Sequence, residues 1–469
     1  MGLTKPLEML KGALEPSGLP ARQTGLPMFQ SLLRQSWFPG SLQVAFTLAI
    51  VVLAYLGLQP VRRAETNPAL AVIWLLWWPI LPFTVPFLGR LWCALCPAGA
   101  LGDWAQKCVP GSRPMAPSWV QKFGAWFALV GIVATGLAFL AFALETNGPL
   151  TVAFLAIISA GAVILALPYK GRVWCRWFCP LGMMLGLYGR TGWVAVGPGP
   201  AGAGPATAAA RTCPQFTSPI SHRRRHDCIL CGVCFKEGNP NEVVVQTELW
   251  PRLPDLPTLP GESSTEQAGR QARHRWQLPR LTLVEALAVT LLLGLLTVDS
   301  LRMTPLYLKY TTWAMSLIDN YRLGLTLGGL ALMGLILTGQ VVIAQLMGRH
   351  ADRARLFGEL SFILIPLVLA LHLALSTQHL FAGGPSALQG IGIELGLLAA
   401  GHTPPADAYF VNLPMKVFQF LLLALGVGGM AYLSGRGKAG LDRGSLLPVW
   451  SAPALALGII FWQPMSAAC

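Results

Sequence analysis

The chain has 469 residues, of which 54% are hydrophobic and only 12% are charged, whereas soluble proteins carry about 25% charged residues. This composition excludes an ordinary soluble protein and predicts a membrane protein. The formal net charge of +14 does not indicate nucleic-acid binding, because Lys and Arg lie mainly in short segments between apolar runs, as in loops on the cytoplasmic side of a membrane.

The first forty residues mix charged residues with Pro and Gly. They lack the apolar core and the small-residue cleavage site of a secretory signal peptide. We therefore expect residues 1–40 to form a cytoplasmic N-terminal segment, followed by a first span that acts as its own insertion signal.

Nine apolar runs are long enough to cross the bilayer as helices, which takes roughly 20 residues each. The sequence therefore predicts an all-α polytopic membrane protein with about nine transmembrane helices. The runs lie near residues 41–60, 68–88, 122–144, 149–168, 281–299, 321–347, 357–377, 409–433 and 446–464.

Basic residues are concentrated in alternate loops, which the positive-inside rule places in the cytoplasm. The longest of these loops runs from Lys170 to Arg280, whereas the loops around Glu145 and Glu394 contain no Lys or Arg. This pattern predicts a bacterial inner (cytoplasmic) membrane protein with a cytoplasmic N-terminus. Two predicted outside loops break the rule, at Arg62 with Arg63 and at Arg302 with Lys309.

An internal repeat lies between residues 41 and 190. The segment Gly89–Cys93 (GRLWC) returns as Gly171–Cys175 (GRVWC), each after a pair of apolar runs, and each continues to a Cys-Pro at Cys96 or Cys179. Residues 41–190 therefore look like a duplicated two-helix unit that ends, in each copy, in a cysteine pair at the cytoplasmic boundary.

Three interpretations of the pairs Cys93/Cys96 and Cys175/Cys179 remain open. The four thiolates jointly hold an iron–sulfur cluster, or they act as redox-active dithiols or a copper site, or they are structural thiols. The duplication favours a joint metal site. Cys108, twelve residues after Cys96, is a spare ligand, although a small buried hydrophobic residue is its expected role.

A polar segment, residues 191–280, interrupts the apolar pattern and contains Cys228-Ile-Leu-Cys231-Gly-Val-Cys234, preceded by Cys213-Pro214. Three thiolates at this spacing, with a remote Cys-Pro, are typical of a ferredoxin-type [4Fe-4S] site, whereas zinc sites usually pair Cys-x2-Cys units or include His. No second Cys-Pro follows Cys234, so we expect one cluster in a small cytoplasmic α+β ferredoxin-like module. A cluster would hold together a segment too polar to bury a large core.

The C-terminal region, residues 281–469, is predicted to form a membrane domain of about five helices. It contains His372 and His379, which are seven residues apart and therefore on one helix face. Intramembrane ionisable residues are functional candidates. A quinone site or a structural role is the expectation, and haem is not expected because no second helix offers a partner His.

The motif Gly171-Arg-Val-Trp-Cys175-Arg-Trp-Phe-Cys179-Pro-Leu-Gly182 resembles the Cys-x3-Cys-Pro element of polyferredoxin-like membrane 4Fe-4S proteins. These include the quinol dehydrogenase membrane subunit of periplasmic nitrate reductase, the nitrous oxide reductase regulator and the cytochrome oxidase copper-assembly ferredoxin families. The resemblance covers roughly residues 40–240 and implies electron transfer from the quinone pool towards a periplasmic or membrane redox partner. The chain departs from it in its shorter first cysteine pair, its single ferredoxin-type loop and its C-terminal spans.

These observations predict an integral membrane iron–sulfur protein that relays electrons between quinol and a redox protein such as a cytochrome or reductase, and that could be an oxidoreductase subunit of the quinol dehydrogenase type. Two alternatives remain. One is a reductase for assembly of copper or other metal centres, and the other is a cluster-based sensor or transporter. The sequence shows no nucleophile motif, phosphate-binding loop or dinucleotide fingerprint.

Overall fold

The chain is described from a computed structural model. The structure describes residues 26–59, 67–109, 111–142, 144–198, 213–216, 227–237, 243–247, 281–302, 321–347, 353–394 and 413–436, and the single positions 309, 312, 313, 316 and 458.

The described residues are mostly helical, with one two-stranded sheet. In chain order the main helices are α1 (Pro27–Arg34), α2 (Gly40–Gly57), α3 (Pro68–Leu88), α4 (Leu91–Leu95), α5 (Pro97–Cys108), α6 (Ser118–Phe142), α7 (Gly148–Ala166) and α8 (Pro180–Tyr188). Strand β1 (Val194–Pro198), helix α9 (Val233–Glu237), strand β2 (Val243–Thr247), and helices α10 (Leu283–Arg302), α11 (Tyr321–Met347), α12 (Arg353–Glu394) and α13 (Leu413–Arg436) follow.

Eight of these helices are long and apolar enough to cross a membrane, and they coincide with the first eight predicted spans. They lie in α2, α3, α6, α7, α10, α11, α12 and α13. The ninth predicted span, near 446–464, falls outside the described residues except for position 458. The multi-pass class is therefore supported by length and composition, and the ninth helix stays a prediction.

The helices of the repeat approach one another closely through glycine and polar contacts. The indole Nε1 of Trp74 in α3 donates to the hydroxyl of Thr151 in α7 at 2.9 Å, and both residues are buried. Asn147 caps α7 by accepting from the backbone N–H of Leu150 at 3.0 Å. The bond between Trp74 and Thr151 joins the second helices of the two units and so places the segments that follow them side by side.

The two units differ where the cysteines lie. In the first unit Cys93 lies in the α-helical turn α4, three residues before Cys96, which is the N-cap residue of α5. In the second unit a π-helical turn, Trp174–Phe178, carries Cys175, and the N–H of Cys179 donates to the carbonyl of Trp174 at 2.9 Å. A π-helical turn contains an additional residue per turn. It therefore absorbs the extra residue between Cys175 and Cys179.

The segment around the cysteine loop is closed by β1 and β2, which pair antiparallel with Val196 opposite Val245. The N-terminal helix α1 packs on this pair, because Leu33 and Phe38 share a buried cluster with Val196, Leu230 and other apolar residues of the segment. Residues 26–39 are thus in contact with the module, although the sequence treats 1–40 as a segment of its own.

The C-terminal helices share a core with the repeat. Helix α12 is buried at every position from 356 to 378, and its apolar side chains belong to one buried cluster with side chains of α3, α6, α8, α10 and α13. The sequence suggested a separate C-terminal domain, since its spans lack the repeat signature. The structure instead packs α12 directly against the unit that carries the cysteines.

Candidate metal centre

The structure brings the cysteine pairs of the two units together. Cys93 and Cys175 are buried, whereas Cys96 and Cys179 are partly buried. The thiols lie within electrostatic reach of one another, because Cys93, Cys96 and Cys179 all raise the pKa of Cys175 in addition to the larger effect of burial. We call Cys93, Cys96, Cys175 and Cys179 the repeat set.

Each unit of the repeat contains an arginine that donates a hydrogen bond to the other unit. Arg90, from the first unit, donates from Nη2 to the carbonyl oxygen of Cys175 at 3.3 Å. Arg172, from the second unit, donates from Nη1 to the carbonyl oxygen of Cys93 at 2.6 Å. Both arginines are nearly inaccessible, at 1% and 5% exposure. The exchange joins the equivalent cysteines of the two units.

The glycines that follow the Cys-Pro elements leave room for this exchange. A Cβ at Gly99, three residues after Cys96, would lie 3.0 Å from Nη1 of Arg172. A Cβ at Gly182, three residues after Cys179, would lie 3.2 Å from Nη2 of Arg90. The repeat therefore reproduces the cavity for the arginine as well as the arginine itself.

The carboxylates that pair with the two arginines come from different parts of the chain. Asp103 pairs with Arg172, with Oδ2 at 2.6 Å from Nη2. The position equivalent to Asp103 in the second unit is Gly186, and the acidic partner of Arg90 is instead Asp227, whose Oδ1 lies 3.5 Å from Nη1. Asp227 directly precedes Cys228, so the module supplies the acidic partner that the second unit lacks.

Asp227 is held a second time by Arg176. Its Oδ1 lies 2.5 Å from Nη1 of Arg176, with side-chain exposures of 10% and 9%. A carboxylate this buried requires paired charge. The start of the Cys228 loop is therefore bound to two cations of the repeat.

The second cysteine group consists of the four residues predicted for a ferredoxin-type site, Cys213, Cys228, Cys231 and Cys234, which we call the loop set. All four are partly buried. Cys213, Cys228 and Cys231 each raise the pKa of Cys234, after the larger effect of burial, so the four thiols are neighbours despite the intervening segment. The backbone N–H of Leu230 donates to Sγ of Cys228 at 3.4 Å.

Two residues of the loop set region adopt left-handed backbone conformations. Gly232 has φ +76° and Leu230 has φ +55°, a region that favours glycine. A Cβ at Gly232 would overlap the carbonyl of Leu33. The loop therefore curls its cysteines inwards and receives helix α1 on its outer side.

Cys179 of the repeat set and Cys228 of the loop set are poor acids in the surroundings that the protein provides. Although Cys179 and Cys228 keep part of their surface accessible, loss of hydration raises the pKa of each to about 12. Thiolates are the form that binds metal. Protons would therefore leave the thiols when a metal group binds, which couples metal binding to the protonation of the site.

Asp103 and the cysteines stabilise the positive charges of the buried arginines. Burial alone lowers the pKa of Arg172, but Asp103 and then Cys175 and Cys231 outweigh it, and the pKa is raised overall. For Arg90, burial is likewise outweighed by Cys93 and Asp227. Both arginines remain charged, and each is influenced by thiols of the repeat set.

The donor groups fit an iron–sulfur cluster. Each set offers four thiols, the ligand type that such clusters use. Gln215, next to Cys213-Pro214, is 1% exposed. Within the described part of the chain, neither its side-chain nitrogen nor its oxygen has a hydrogen-bond partner. A buried amide of this kind requires an acceptor or donor, and cluster sulfur atoms accept hydrogen bonds from the surrounding protein.

The membrane helices contain a further polar pair in contact with the repeat. The hydroxyl of Tyr188, at the end of α8, lies 3.0 Å from Nδ1 of His372 in α12, and both side chains are buried. His379, two turns further along α12, has Nε2 at 3.9 Å from Oδ2 of Asp299 in α10. The structure thus gives both histidines of α12 a polar neighbour.

Aromatic rings connect this pair to the first cysteine pair. The ring of Trp78 lies 6.0 Å from that of His372, and Trp77 lies 6.4 Å from Trp78. Trp77 in turn lies 6.3 Å from Trp92, the residue before Cys93. His372 is therefore joined to the repeat set through aromatic packing as well as through Tyr188.

The structure corrects one expectation from the sequence, the burial of Cys108, and reveals contacts that the sequence did not predict. Cys108 is exposed at the end of α5, so the expectation of a buried residue is wrong, because the helix ends outside the packed repeat. Sequence reasoning noted the Gly-Arg-x-Trp contexts but gave no role to Arg90, Arg172 or Asp227. Their signals were the repetition of the arginine and the position of an acidic residue next to Cys228.

Comparison with known proteins gives one match. A family described as a 4Fe-4S binding domain matches residues 70–116 and 152–197. The chain thus carries the signature of an iron–sulfur protein. The two matched stretches cover most of the second helix and the cysteine pair of each copy of the repeat, and they contain the repeat set but not the loop set. No curated protein and no solved structure matches the chain significantly.

Proposed function

We propose that this chain is an integral membrane electron-transfer protein that holds iron–sulfur clusters and passes electrons between the quinone pool and a redox protein. The observation that carries the proposal is the convergence of eight cysteines into two groups of four around the buried residues Arg90 and Arg172. The match to a 4Fe-4S binding domain over both repeat copies supports it.

Each set has a defined role in this proposal. Cys213, Cys228, Cys231 and Cys234 hold one [4Fe-4S] cluster, and Cys93, Cys96, Cys175 and Cys179 hold a second. A bound cluster supplies one-electron transfer at a potential that depends on nearby charge, hydrogen bonds and solvent. The buried arginines offset the negative charge of the thiolates, and the apolar surroundings limit access of water.

The 4Fe-4S family match over the residues of the repeat set favours a cluster there over a single copper or zinc ion. Among the residues that the structure describes, no group of three or more Cys, His, Asp or Glu side chains is arranged to hold one metal ion. The preference for a cluster in the repeat set therefore rests on the family match and on the four thiols of the set.

The proposed electron donor is quinol from the bilayer, and the buried pair Tyr188 and His372 supports it. Oxidation of a quinol releases two electrons and two protons, so it requires proton acceptors beside an electron acceptor. His372 can exchange a proton in its membrane-buried position. Tyr188 hydrogen-bonds to it and lies on α8, the helix that begins directly after Cys179.

The proposed orientation places both cysteine sets on the cytoplasmic side of a bacterial inner membrane. The basic segments that flank them support this placement through the positive-inside rule. A periplasmic or membrane cytochrome or reductase is the proposed redox partner, as the resemblance to polyferredoxin-like membrane proteins implies.

The test is anaerobic purification of the full chain, with counts of iron and acid-labile sulfide and EPR after reduction by dithionite. About eight irons and eight sulfides per chain are expected for two four-iron clusters. Addition of quinol to the purified protein in liposomes should then reduce the clusters. Copper in place of iron, with no sulfide, would overturn the proposal in favour of a copper site. Clusters that quinol does not reduce would remove the proposed donor.

A further inference from the structure

Arg90 and Arg172 each contact a cysteine of the repeat set and a residue next to a cysteine of the loop set. Arg90 donates from Nη2 to the carbonyl of Cys175 in the repeat set, and its Nη1 lies 3.5 Å from the carboxylate of Asp227, which directly precedes Cys228 of the loop set. One guanidinium therefore spans from a cysteine of one set to the residue beside a cysteine of the other.

Arg172 makes the same connection by a different route. Its Nη1 donates to the carbonyl of Cys93 in the repeat set. Its backbone N–H donates to the carbonyl of Pro214 at 2.9 Å, directly after Cys213 of the loop set. Gly171, with φ +72°, permits this approach, because a Cβ there would lie 2.8 Å from the same Pro214 carbonyl. Cys231 also contributes to the electrostatics of Arg172.

We propose that the two sets form one coupled two-cluster centre, in which Asp227 is a positioning residue that fixes the loop set against the repeat set through Arg90 and Arg176. The inference rests on the proposed function, because it requires a cluster in each set. In this proposal the ion pairs of Asp227, next to Cys228, bind the ferredoxin-like module to the membrane units. This contact sets the geometry between the clusters.

The break in the repeat explains why Asp227 has this role. The first unit provides its own acidic residue, Asp103, to pair with Arg172. The second unit has Gly186 at the equivalent position, and a Cβ there would lie 3.5 Å from Nη1 of Arg90 and 3.7 Å from Oδ1 of Asp227. The carboxylate from the module thus occupies the place that a side chain of the second unit would otherwise fill.

The proposed coupling between the two sets is a transfer of electrons and involves no transfer of atoms. Transfer of one electron between the sets oxidises one site and reduces the other, and no bond is formed or broken. The charges of Arg90, Arg172, Asp103, Arg176 and Asp227 stay in place during such a transfer, so the surroundings require little rearrangement.

The experiment is EPR of the full chain reduced by dithionite, before and after substitution of Asp227. Two reduced clusters held in contact through the arginines should interact magnetically and give a split spectrum in the parent protein. D227N should keep about eight irons per chain but weaken the splitting and raise the midpoint potential of the loop-set cluster, because a negative charge beside it is removed.

D103N is the matched control. Asp103 pairs with the equivalent arginine, but within the repeat, and the backbone link from Arg172 to Pro214 does not involve it. It should alter the potential of the repeat-set cluster and leave the splitting as in the parent. A shift in splitting caused equally by D103N and D227N would show a general effect of charge and overturn the positioning role.

A second variant keeps the proposal testable if D227N loses its cluster. R176Q removes the 2.5 Å contact to Asp227 and leaves the contact of Arg90 in place. Weaker splitting with full iron in R176Q supports the proposal even if D227N loses iron. Unchanged splitting in R176Q, loss of iron from both variants, or a parent spectrum without splitting would overturn it. Because dithionite replaces the physiological donor, failure here is distinct from failure of quinol to reduce the clusters.

Discussion

The hydroxyl of Tyr188 lies 3.0 Å from Nδ1 of His372, and this contact joins the helix that follows Cys179 to the most buried helix of the C-terminal region. Both side chains are almost fully buried, at 1% and 4% exposure. The ring planes are inclined at 70° with centroids 5.7 Å apart, an edge-to-face contact. Helix α12 of the C-terminal region is therefore in direct polar contact with the half of the chain that carries the cysteine pairs.

Y188F should reduce the rate of quinol-dependent cluster reduction by about tenfold or more, the scale of a lost proton-transfer partner. Reduction by dithionite should be unchanged, because dithionite delivers electrons without a proton acceptor at His372. Stopped-flow absorbance of the clusters in liposomes measures both rates. Equal loss of the two rates would point to damage of the cluster sites instead.

H379Q is the control for this prediction. His379 lies on the same helix but is about one third exposed and pairs with Asp299 rather than with Tyr188. We expect a smaller effect on the quinol-dependent rate than in Y188F. A larger effect in H379Q would place the proton acceptor at the Asp299 end of the helix.

Any single Cys→Ser substitution in the repeat set should lower the iron content from about eight to about four per chain, because a cluster that loses a thiolate is usually lost as a unit. The four variants C93S, C96S, C175S and C179S should behave alike, and iron analysis after anaerobic purification measures this. C108S is the control, since Cys108 is exposed and lies in neither set. Unchanged iron in all four variants would leave the dithiol or structural interpretation of these cysteines.

Much of the architecture could be predicted from the sequence. Apolar run length predicted the eight helices that are long and apolar enough to cross a membrane, because spanning a bilayer imposes a length and a composition that the sequence shows directly. The repeat was visible because Gly-Arg-x-Trp-Cys recurs. Spacing placed Cys228, Cys231 and Cys234 together, since residues on one short loop are neighbours, whereas the Cys-Pro context indicated Cys213; that the four residues bind a cluster stays a prediction.

The charged contacts could not be predicted in this way. Asp227 pairs with Arg90 across 137 positions, and Arg172 reaches the carbonyl of Cys93 across 79. Such contacts depend on how the two units face each other, which periodicity does not encode. Asp227 takes the part that an acidic residue of the second unit would play, and only the structure shows this, because it places Gly186 beside Arg90.

C213A should remove the loop-set cluster and leave the repeat-set cluster in place. The thiol of Cys213 is a neighbour of Cys228, Cys231 and Cys234, and a cube deprived of one thiolate becomes a three-iron species or is lost. The iron count of the full chain should fall by between about one and about four irons. The EPR signal of the repeat-set cluster should be retained. An unchanged signal would mean that another residue supplies the fourth ligand.

G232A should destabilise the contact between the cysteine loop and helix α1. Gly232 has φ +76°, which costs a residue with a Cβ about 1 kcal/mol or more, and the added methyl would also overlap the carbonyl of Leu33. We expect faster proteolysis near residue 26 and partial loss of the loop-set cluster. G40A is the control, because a Cβ at Gly40 meets nothing within 4 Å.

The orientation of the chain should follow the charge of its loops. Reporter fusions after Lys122, Pro200 and Arg355 should report the cytoplasm, whereas a fusion after Asn147 should report the outside, because Lys and Arg hold short loops on the cytoplasmic side. Asn147 lies between α6 and α7, so this pair of helices should carry the chain out and back. Pro200 follows β1 and precedes the loop set, so its location also decides where the clusters lie. A periplasmic signal at Pro200, with a cytoplasmic one at Asn147, would invert the protein and place both cysteine sets on the periplasmic side.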